Sequence, residues 1–383
     1  MVHESDLRES KKGRGEAVVV YRDPCLTRLS RKSGSPGGYK NFAKVRMPPP
    51  SRSFPRKSGK MLWRTVIPKR SKRDYFMKFH PIIDAHTHIG DILIEGGGEL
   101  ICKKGVSKPM IFDPITLWGW VGYRNFGLGN LLYRLSLSQA ITAEQVRSRT
   151  GTLENLRISM DRLGITHSAC MPIHPYVVFD DLAEAASQDS GVIPFTTVDV
   201  AAGGDFTAQL KADKAKGAKG LKLHAIIQKV ALDDPRTHKA VEAAGAAGLA
   251  VLFHCGISNY FKGVEKDKNI PEYGAVDYAV RLVREHPDVR FVVGHAGMYE
   301  VEEVMGKLAS YGNVLVDTSI QSAANIRKLI QAFGPDRVLY ASDWPFGDTW
   351  AALACARAAC KGDEPLLRNI LYENAARVYG IMK

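Results

Sequence analysis

Long apolar runs are missing from this sequence. No stretch approaches the ~18 uncharged apolar residues that a membrane-crossing helix needs, and even the Ala-rich segment 240–254 carries Glu242, Gly245 and Gly248. Cysteine is sparse and scattered, six residues at 25, 102, 170, 255, 355 and 360 with no Cys-x-x-Cys, which argues against a disulfide frame or a thiolate zinc site and predicts a reducing, cytoplasmic setting. No Gly-x-Gly-x-x-Gly opens the first helical segment, so a dinucleotide-binding fold is not indicated. An apolar secretory core is absent too. Glu4, Asp6, Glu9 and Glu16 are out of place in a transit peptide, which should be poor in acids.

Charge is unevenly spread. Residues 1–76 hold 20 Lys and Arg against six acidic residues, whereas the rest of the chain holds 33 against 34 and is nearly neutral. This head is rich in Ser, Gly and Pro, shows no helical or strand period, and is expected to be disordered. It reads as translated sequence upstream of a natural start at Met77, or as a polybasic tail for acidic surfaces. Phe42, Phe54 and Trp63 are too thinly spaced for a nucleic-acid stacking platform, so a scaffold whose basic tail binds nucleic acid is the weaker alternative.

What is present begins at Ile82. The run Ile82-Ile-Asp-Ala-His-Thr-His-Ile-Gly90 reads as a buried strand entering a loop, and a period of two puts Asp84, His86 and His88 on one face. Two imidazoles about 7 Å apart along a strand can converge on one ion where the strand leaves its sheet. Next comes a long irregular insertion, about 91–141, with Gly96-Gly-Gly98, Trp118 and Trp120; it is expected either to cover a site or to pack as an aromatic cluster of its own. A helix is predicted over 142–163, with Thr142 and Gln145 as a capping box and Gly164 as its stop.

Beyond it the pattern repeats. Strands are predicted at 165–171, 192–198, 220–224, 249–254, 289–294, 314–317 and 337–342, separated by amphipathic helices at 182–188, 206–216, 237–247, 276–285, 300–310 and 323–333. With the first, that makes eight strands in regular alternation with helices. The expected fold class is α/β, a (β/α)8 TIM barrel over 77–383.

Chemistry on such a barrel sits where strands run into the following loops. Those positions hold His86, His88, His174, Lys222, His224, His254, His295, Asp317 and Asp343, which include six of the 11 histidines. Imidazoles with carboxylates suit zinc first, then manganese or iron, and suit magnesium or calcium poorly. Plainer readings stay open. His254 and His295 would serve as hydrogen-bonded core histidines, Asp343 as a loop cap, Lys222 as a salt-bridged lysine and His174 as a turn residue.

In order, Ile83-Asp-Ala-His-Thr-His, Gly220-Leu-Lys-Leu-His, Leu252-Phe-His, Gly294-His-Ala-Gly, Ala341-Ser-Asp-Trp-Pro-Phe and Asn374-Ala-Ala-Arg-Val-Tyr-Gly resemble the amidohydrolase superfamily, in the branch that includes aminocarboxymuconate semialdehyde decarboxylase. The resemblance implies one divalent metal held by His86, His88, His254 and Asp343, with His295 acting beside it and Asp343 also taking a proton. It implies a carboxylated Lys222 only in two-metal relatives, whereas His224 is the mark of the one-metal branch. His174, Lys222 and His224 are the expected substrate contacts. The expected activity is metal-dependent hydrolysis of an amide, ester or lactone bond in a small molecule, with non-oxidative decarboxylation as the alternative. No Arg stands at a strand end to hold a carboxylate; Lys222 and the insertion's Arg124 and Arg134 are the nearest cations. A homo-oligomer is compatible with this reading.

Overall fold

The structure, a computed structural model, describes residues 81–381 apart from 110, 112 and 123–125. The basic head 1–76, Met77, Arg124 and the side chain of Trp120 lie outside the described residues.

Eight short strands appear where the apolar runs predict them: β1 (Ile83–Thr87), β2 (His167–Cys170), β3 (Val192–Pro194), β4 (Gly220–Leu223), β5 (Ala250–Phe253), β6 (Phe291–Val293), β7 (Val314–Asp317) and β8 (Val338–Leu339). Neighbours in sequence pair in parallel, β1 to β3 in one run and β4 to β8 in another. Two further parallel bridges, Thr196 with Leu221 and Thr87 with Trp344, join the runs at both seams. At those seams Thr196 N–H donates to Gly220 O (2.8 Å) and Ala85 N–H to Tyr340 O (2.9 Å). The sheet is therefore closed, a (β/α)8 barrel.

Side-chain alternation then sorts the strands' residues. On β5, Val251 and Phe253 join the large cluster under the helices, while Leu252 joins the inner cluster with Ala85, Ala169, Ile193, Val292, Leu315 and Leu339. The next position of the Leu252 face is His254, and the next of the Leu315 face is Asp317. The C-terminal segment belongs to that inner cluster as well. Tyr379 Oη donates to Ala85 O (3.0 Å), and its ring meets Phe195 edge-on at 4.9 Å.

Strand β1 departs from simple alternation. Its pairing with β2 slips by one residue between Asp84 and Thr87, a bulge that changes the phase of the strand. Ala85 stays in the inner cluster, and Asp84 turns to the segment after β8, where it accepts from Ser342 N–H (2.9 Å) and the Ser342 hydroxyl. Asp84 thus does not share the face of His86 and His88. Burial pushes its carboxyl up to about 7, against those hydrogen bonds.

The helices Val276–Glu285 and Ala323–Phe333 fall where the apolar stripe puts them, the second capped by Ser322 accepting from Asn325 N–H. The insertion differs from expectation. It is largely helical: α1 (Pro114–Gly122), α2 (Phe126–Leu135) and α3 (Leu137–Ser148), followed by α4 (Leu153–Leu163). The single helix expected over 142–163 is two, because α4 has its own cap, Thr152 accepting from Asn155 N–H, and ends at Gly164 in the left-handed conformation. Thr142 is no cap; inside α3, its hydroxyl donates to Ser138 O and Gln145 donates to Tyr260 O. Helices α1 and α2 meet at Gly122 and Gly129, where a Cβ on Gly129 would sit 2.6 Å from the Gly122 Cα. Only glycine permits that approach.

Candidate active site

Six strand-end side chains gather at one mouth of the barrel, and a carboxylate sets their orientation. Asp317, ending β7, accepts from His86 Nδ1 on Oδ2 (2.8 Å) and from His295 N–H on Oδ1 (3.0 Å), and that oxygen also receives the Ser319 hydroxyl and N–H. Because the Ser319 proton is committed to Asp317, the 2.7 Å contact between Ser319 Oγ and His295 Nδ1 must be an N–H donating to oxygen. His86 and His295 both carry their proton on Nδ1, which leaves Nε2 as the acceptor; that of His86 faces Lys222 Nζ at 2.9 Å. His88 is fixed in the same way, Nδ1 donating to Met171 O at 2.9 Å.

The remaining imidazoles follow the same logic. His254 donates from Nε2 to Gly256 O (3.0 Å), which leaves Nδ1 as its acceptor. His224 accepts the Ile227 N–H on Nδ1 (3.3 Å) and so donates from Nε2 to Tyr260 Oη (3.1 Å), its ring stacked on His254 at 4.1 Å. Burial drives every one of these rings toward the neutral form, His254 down to about 3. The Asp343 carboxyl is pushed up by burial, opposed by Lys222.

Backbone strain marks two of them. His295 (φ 57°) begins a turn in which Ala296, Gly297 and Met298 also have positive φ, and Asp343 has φ 59°. Non-glycine residues hold this conformation only when their surroundings compel it. Here Gln321 donates to His295 O and Met298 O, Asp343 N–H donates to His86 O, and Gly347 N–H donates to Asp343 O.

The donor set fits a divalent metal. One ligand atom each from His86, His295 and Asp343 lies within 4.8 Å of the others, all three buried. Asp343 Oδ1 is 3.5 Å from His88 Nε2 and 3.9 Å from His86 Nε2. Ligands about 2.1 Å from a tetrahedral ion stand roughly 3.4 Å apart, so these gaps are close to those of a formed site. Imidazoles whose second nitrogen is tied to a carboxylate, hydroxyl or carbonyl are the usual form of such ligands.

The expected ligand set is only partly gathered. His86 and Asp343 stand in the convergent group with His295; His88 and His254 are both outside it, His88 reaching Asp343 Oδ1 at 3.5 Å. His254 is drawn aside by Gly256 O and Ser258 in the loop after β5. Among the expected substrate contacts, His224 lines the cavity over the site. Lys222 does not; it is 1 % exposed and donates from Nζ to His86 Nε2 at 2.9 Å, and burial lowers it to about 8. His174 also misses the cavity, because it lies four residues past β2 in a loop that carries it to Asp199, 3.8 Å away. Arg134 is exposed and bonded to Asn130.

The insertion does both things expected of it, lining the site and packing an aromatic cluster, although Glu144, Tyr260 and Tyr299 were not singled out in the sequence. The cavity above His88, His254, His295 and Asp343 encloses about 990 Å³ of empty space, solvent at its mouth included. Its upper side is built from the insertion by Ile115, Trp118, Tyr133 and Glu144, and from the loops by Tyr260 and Tyr299. Trp118 and Tyr133 meet edge-on at 4.8 Å. Arg147 of α3 ties this wall to the floor, donating to Asp113 and Thr116 on one side and to Pro345 O and Phe346 O, in the loop after Asp343, on the other. Glu144 and Arg147, a turn apart in a segment without amphipathic period, gave no signal in sequence.

The family model described as Amidohydrolase matches residues 83–381. No curated protein matches the chain by sequence. Solved structures similar in fold include the following three. An uncharacterized TIM-barrel protein from Bordetella bronchiseptica is 16 % identical with a TM-score of 0.54, over 78 % of this chain and 98 % of that one. A 5-carboxyvanillate decarboxylase from Novosphingobium aromaticivorans, complexed with manganese and a nitrobenzoic acid, is 18 % identical with a TM-score of 0.52, over 79 % and 96 %. A 2-pyrone-4,6-dicarboxylic acid hydrolase, so described provisionally, from Pseudomonas putida is 16 % identical with a TM-score of 0.51, over 79 % and 99 %.

Proposed function

Since the chain belongs to the amidohydrolase family, whose members include both hydrolases and decarboxylases, we propose that it is a metal-dependent hydrolase of an amide, ester or lactone bond in a small molecule. One observation carries the choice between the two reactions. Among the described residues that line the cavity none is Lys or Arg; the lining is aromatic and aliphatic, with neutral histidines and the carboxyls of Glu144, Asp343 and Asp348. A decarboxylase must hold its substrate's carboxylate, normally with a guanidinium or ammonium, and the described lining residues offer a substrate anion no such partner.

His86, His88, His295 and Asp343 would hold the ion, zinc or manganese by their donor types. Bound there, it would lower the pKa of water and polarise a carbonyl. The chain's own groups supply the proton chemistry. Asp343 accepts the proton of the attacking water on a carboxylate oxygen facing the cavity. His224, His254 and Tyr260 form the far side, where the Tyr260 hydroxyl, accepting from His224, has its own proton to offer a departing group. Side chains of α1 and α3 cover one side of the site, which limits bulk water at the reacting carbon.

The test is product accounting. Protein loaded with zinc or manganese is incubated with panels of lactones, amides, esters and aromatic carboxylates, and acid release and carbon dioxide are followed separately. Acid release without carbon dioxide is expected. Carbon dioxide from a carboxylate with no hydrolytic product on any panel would overturn the proposal. Metal analysis runs in parallel: His86→Ala is expected to lose the ion and His254→Ala to retain it.

A further inference from the structure

Glu144 is a carboxylate the proposed hydrolysis does not use. It projects from α3 into the same cavity as Asp343, yet it is no part of the ligand group. Its Oε2 is shielded from solvent and has no hydrogen-bond partner, one of only two such side-chain atoms among the described residues. Leaving a buried carboxylate oxygen unpaired costs stability, and native structures rarely tolerate it without a purpose.

Its surroundings narrow that purpose. Trp118, Tyr133, Tyr260 and Tyr299 line the cavity with it, and Tyr133 and Tyr299 stand 5.4 Å apart between ring centres. Arg147, three residues along α3, donates to Asp113, Thr116 and the carbonyls of Pro345 and Phe346, and its charge opposes the effect of burial on Glu144. The second carboxylate at the rim, Asp348, is engaged as a helix cap, accepting from Ala351 N–H. A buried carboxyl whose Oε2 has no partner, set among electron-rich rings with no lysine or arginine among the described lining residues, is a receptor for a cation that donates hydrogen bonds.

Resting on the hydrolase reading, we infer that the substrate carries an amine or amidine group, which Glu144 pairs with inside the aromatic wall while the scissile carbonyl lies over Asp343 and His295. Glu144 is thus a specificity residue for a cationic, ring-sized nitrogenous compound. Held largely protonated by burial when the site is empty, Glu144 offers an anionic analogue no opposite charge, and an ionised Glu144 would repel it.

Binding tests this without turnover and without metal, so its outcome is independent of which reaction the floor performs. The probes are benzylamine, benzamidine, benzyl alcohol and benzoate, titrated calorimetrically into the full-length wild-type chain and into Glu144→Gln. Wild type is expected to bind the two cations at least tenfold more tightly than the alcohol or benzoate. Burial pushes the Glu144 carboxyl up to about 8, so cation binding at pH 7 should also release a proton, read from the dependence of the heat on buffer ionisation. That signature needs no variant. In Glu144→Gln the preference and the proton release should vanish while alcohol binding is unchanged. Benzoate binding as tightly as benzylamine to wild type, or a cation preference that survives in Glu144→Gln, would overturn the assignment. Hydrolysis disproved by carbon dioxide release, with cation preference intact, would overturn the reaction and leave Glu144 in its role.

Discussion

The floor of the cavity and its wall are built on opposite terms. On the floor, polar groups are buried and satisfied: Asp317 alone receives His86, His295 and Ser319, and each of five imidazoles has at least one nitrogen tied down. On the wall, α1 to α3 bring aromatic rings and one carboxylate oxygen with no partner. A satisfied network fixes geometry, which suits bond making; an unsatisfied group waits for a ligand, which suits recognition. The two regions meet through Arg147.

Substitutions on the floor should abolish chemistry, and those on the wall should change what is bound. The largest effect is expected at Asp343. Asp343→Asn keeps the side-chain volume and removes the proton acceptor, so turnover of any hydrolysed substrate should fall by about 10³ with the circular dichroism spectrum unchanged. A residual rate within tenfold of wild type would move the general base elsewhere on the floor.

Next comes the hub beneath it. Asp317→Ala strands the His86 and His295 donors and Ser319 in a buried setting, with an expected loss of roughly 3 kcal/mol of stability in denaturant titration. Metal affinity should drop with it, because His86 is no longer held in its tautomer. Full stability would mean that the network is ornamental and that the contrast with the wall fails.

These two residues show how much was readable beforehand. Strand-end chemistry is legible because parallel strands write their ends as apolar runs followed by polar residues, and the barrel topology puts all such ends on one face. His86, His88, His224, His295, Asp317 and Asp343 are all found that way. His174 is not, since a loop position four residues beyond Cys170 has no fixed direction. Asp84 was misplaced by a bulge, which leaves no mark in the sequence and reverses the side-chain phase. The wall was legible only as an aromatic insertion over the site, and its helices were hidden for a different reason. Helix α1, Pro-Ile-Thr-Leu-Trp-Gly-Trp-Val-Gly, is apolar on most sides and presents no stripe of period 3.6, and α2 carries two glycines.

Arg147 tests the joint between the two regions. Arg147→Met keeps the length of the stem and removes the bonds to Asp113, Thr116 and the carbonyls of the loop after Asp343, at an expected cost of roughly 2 kcal/mol. The signature is regional. Limited proteolysis should open sites in 103–135 well before the barrel is cut, and His86 metal binding should persist. Cleavage spread evenly over the barrel would show that Arg147 stabilises the whole fold and not the attachment of the wall.

The smallest effect, and the one opposite in sign, is expected at Glu144. Burial raises its carboxyl from 4.5 to about 8, with Arg147 opposing. Such a group binds its proton more tightly in the folded chain than in the unfolded one. Between pH 4.5 and 8 the unfolded state loses the proton first, so folding stability falls with rising pH across that window and the deficit levels off above it. Gln has the shape of the protonated acid and no charge to desolvate. Glu144→Gln should therefore melt at nearly the wild-type temperature at pH 5 and a few °C higher at pH 8.5, since ~1 kcal/mol corresponds to a few degrees in a chain of this size. The floor offers no comparable gain, because Asp317 is held by four donors and its replacement leaves them unpaired. A melting temperature for Glu144→Gln that trails wild type at pH 8.5 would mean the carboxylate is satisfied after all, and the wall would then be built on the same terms as the floor.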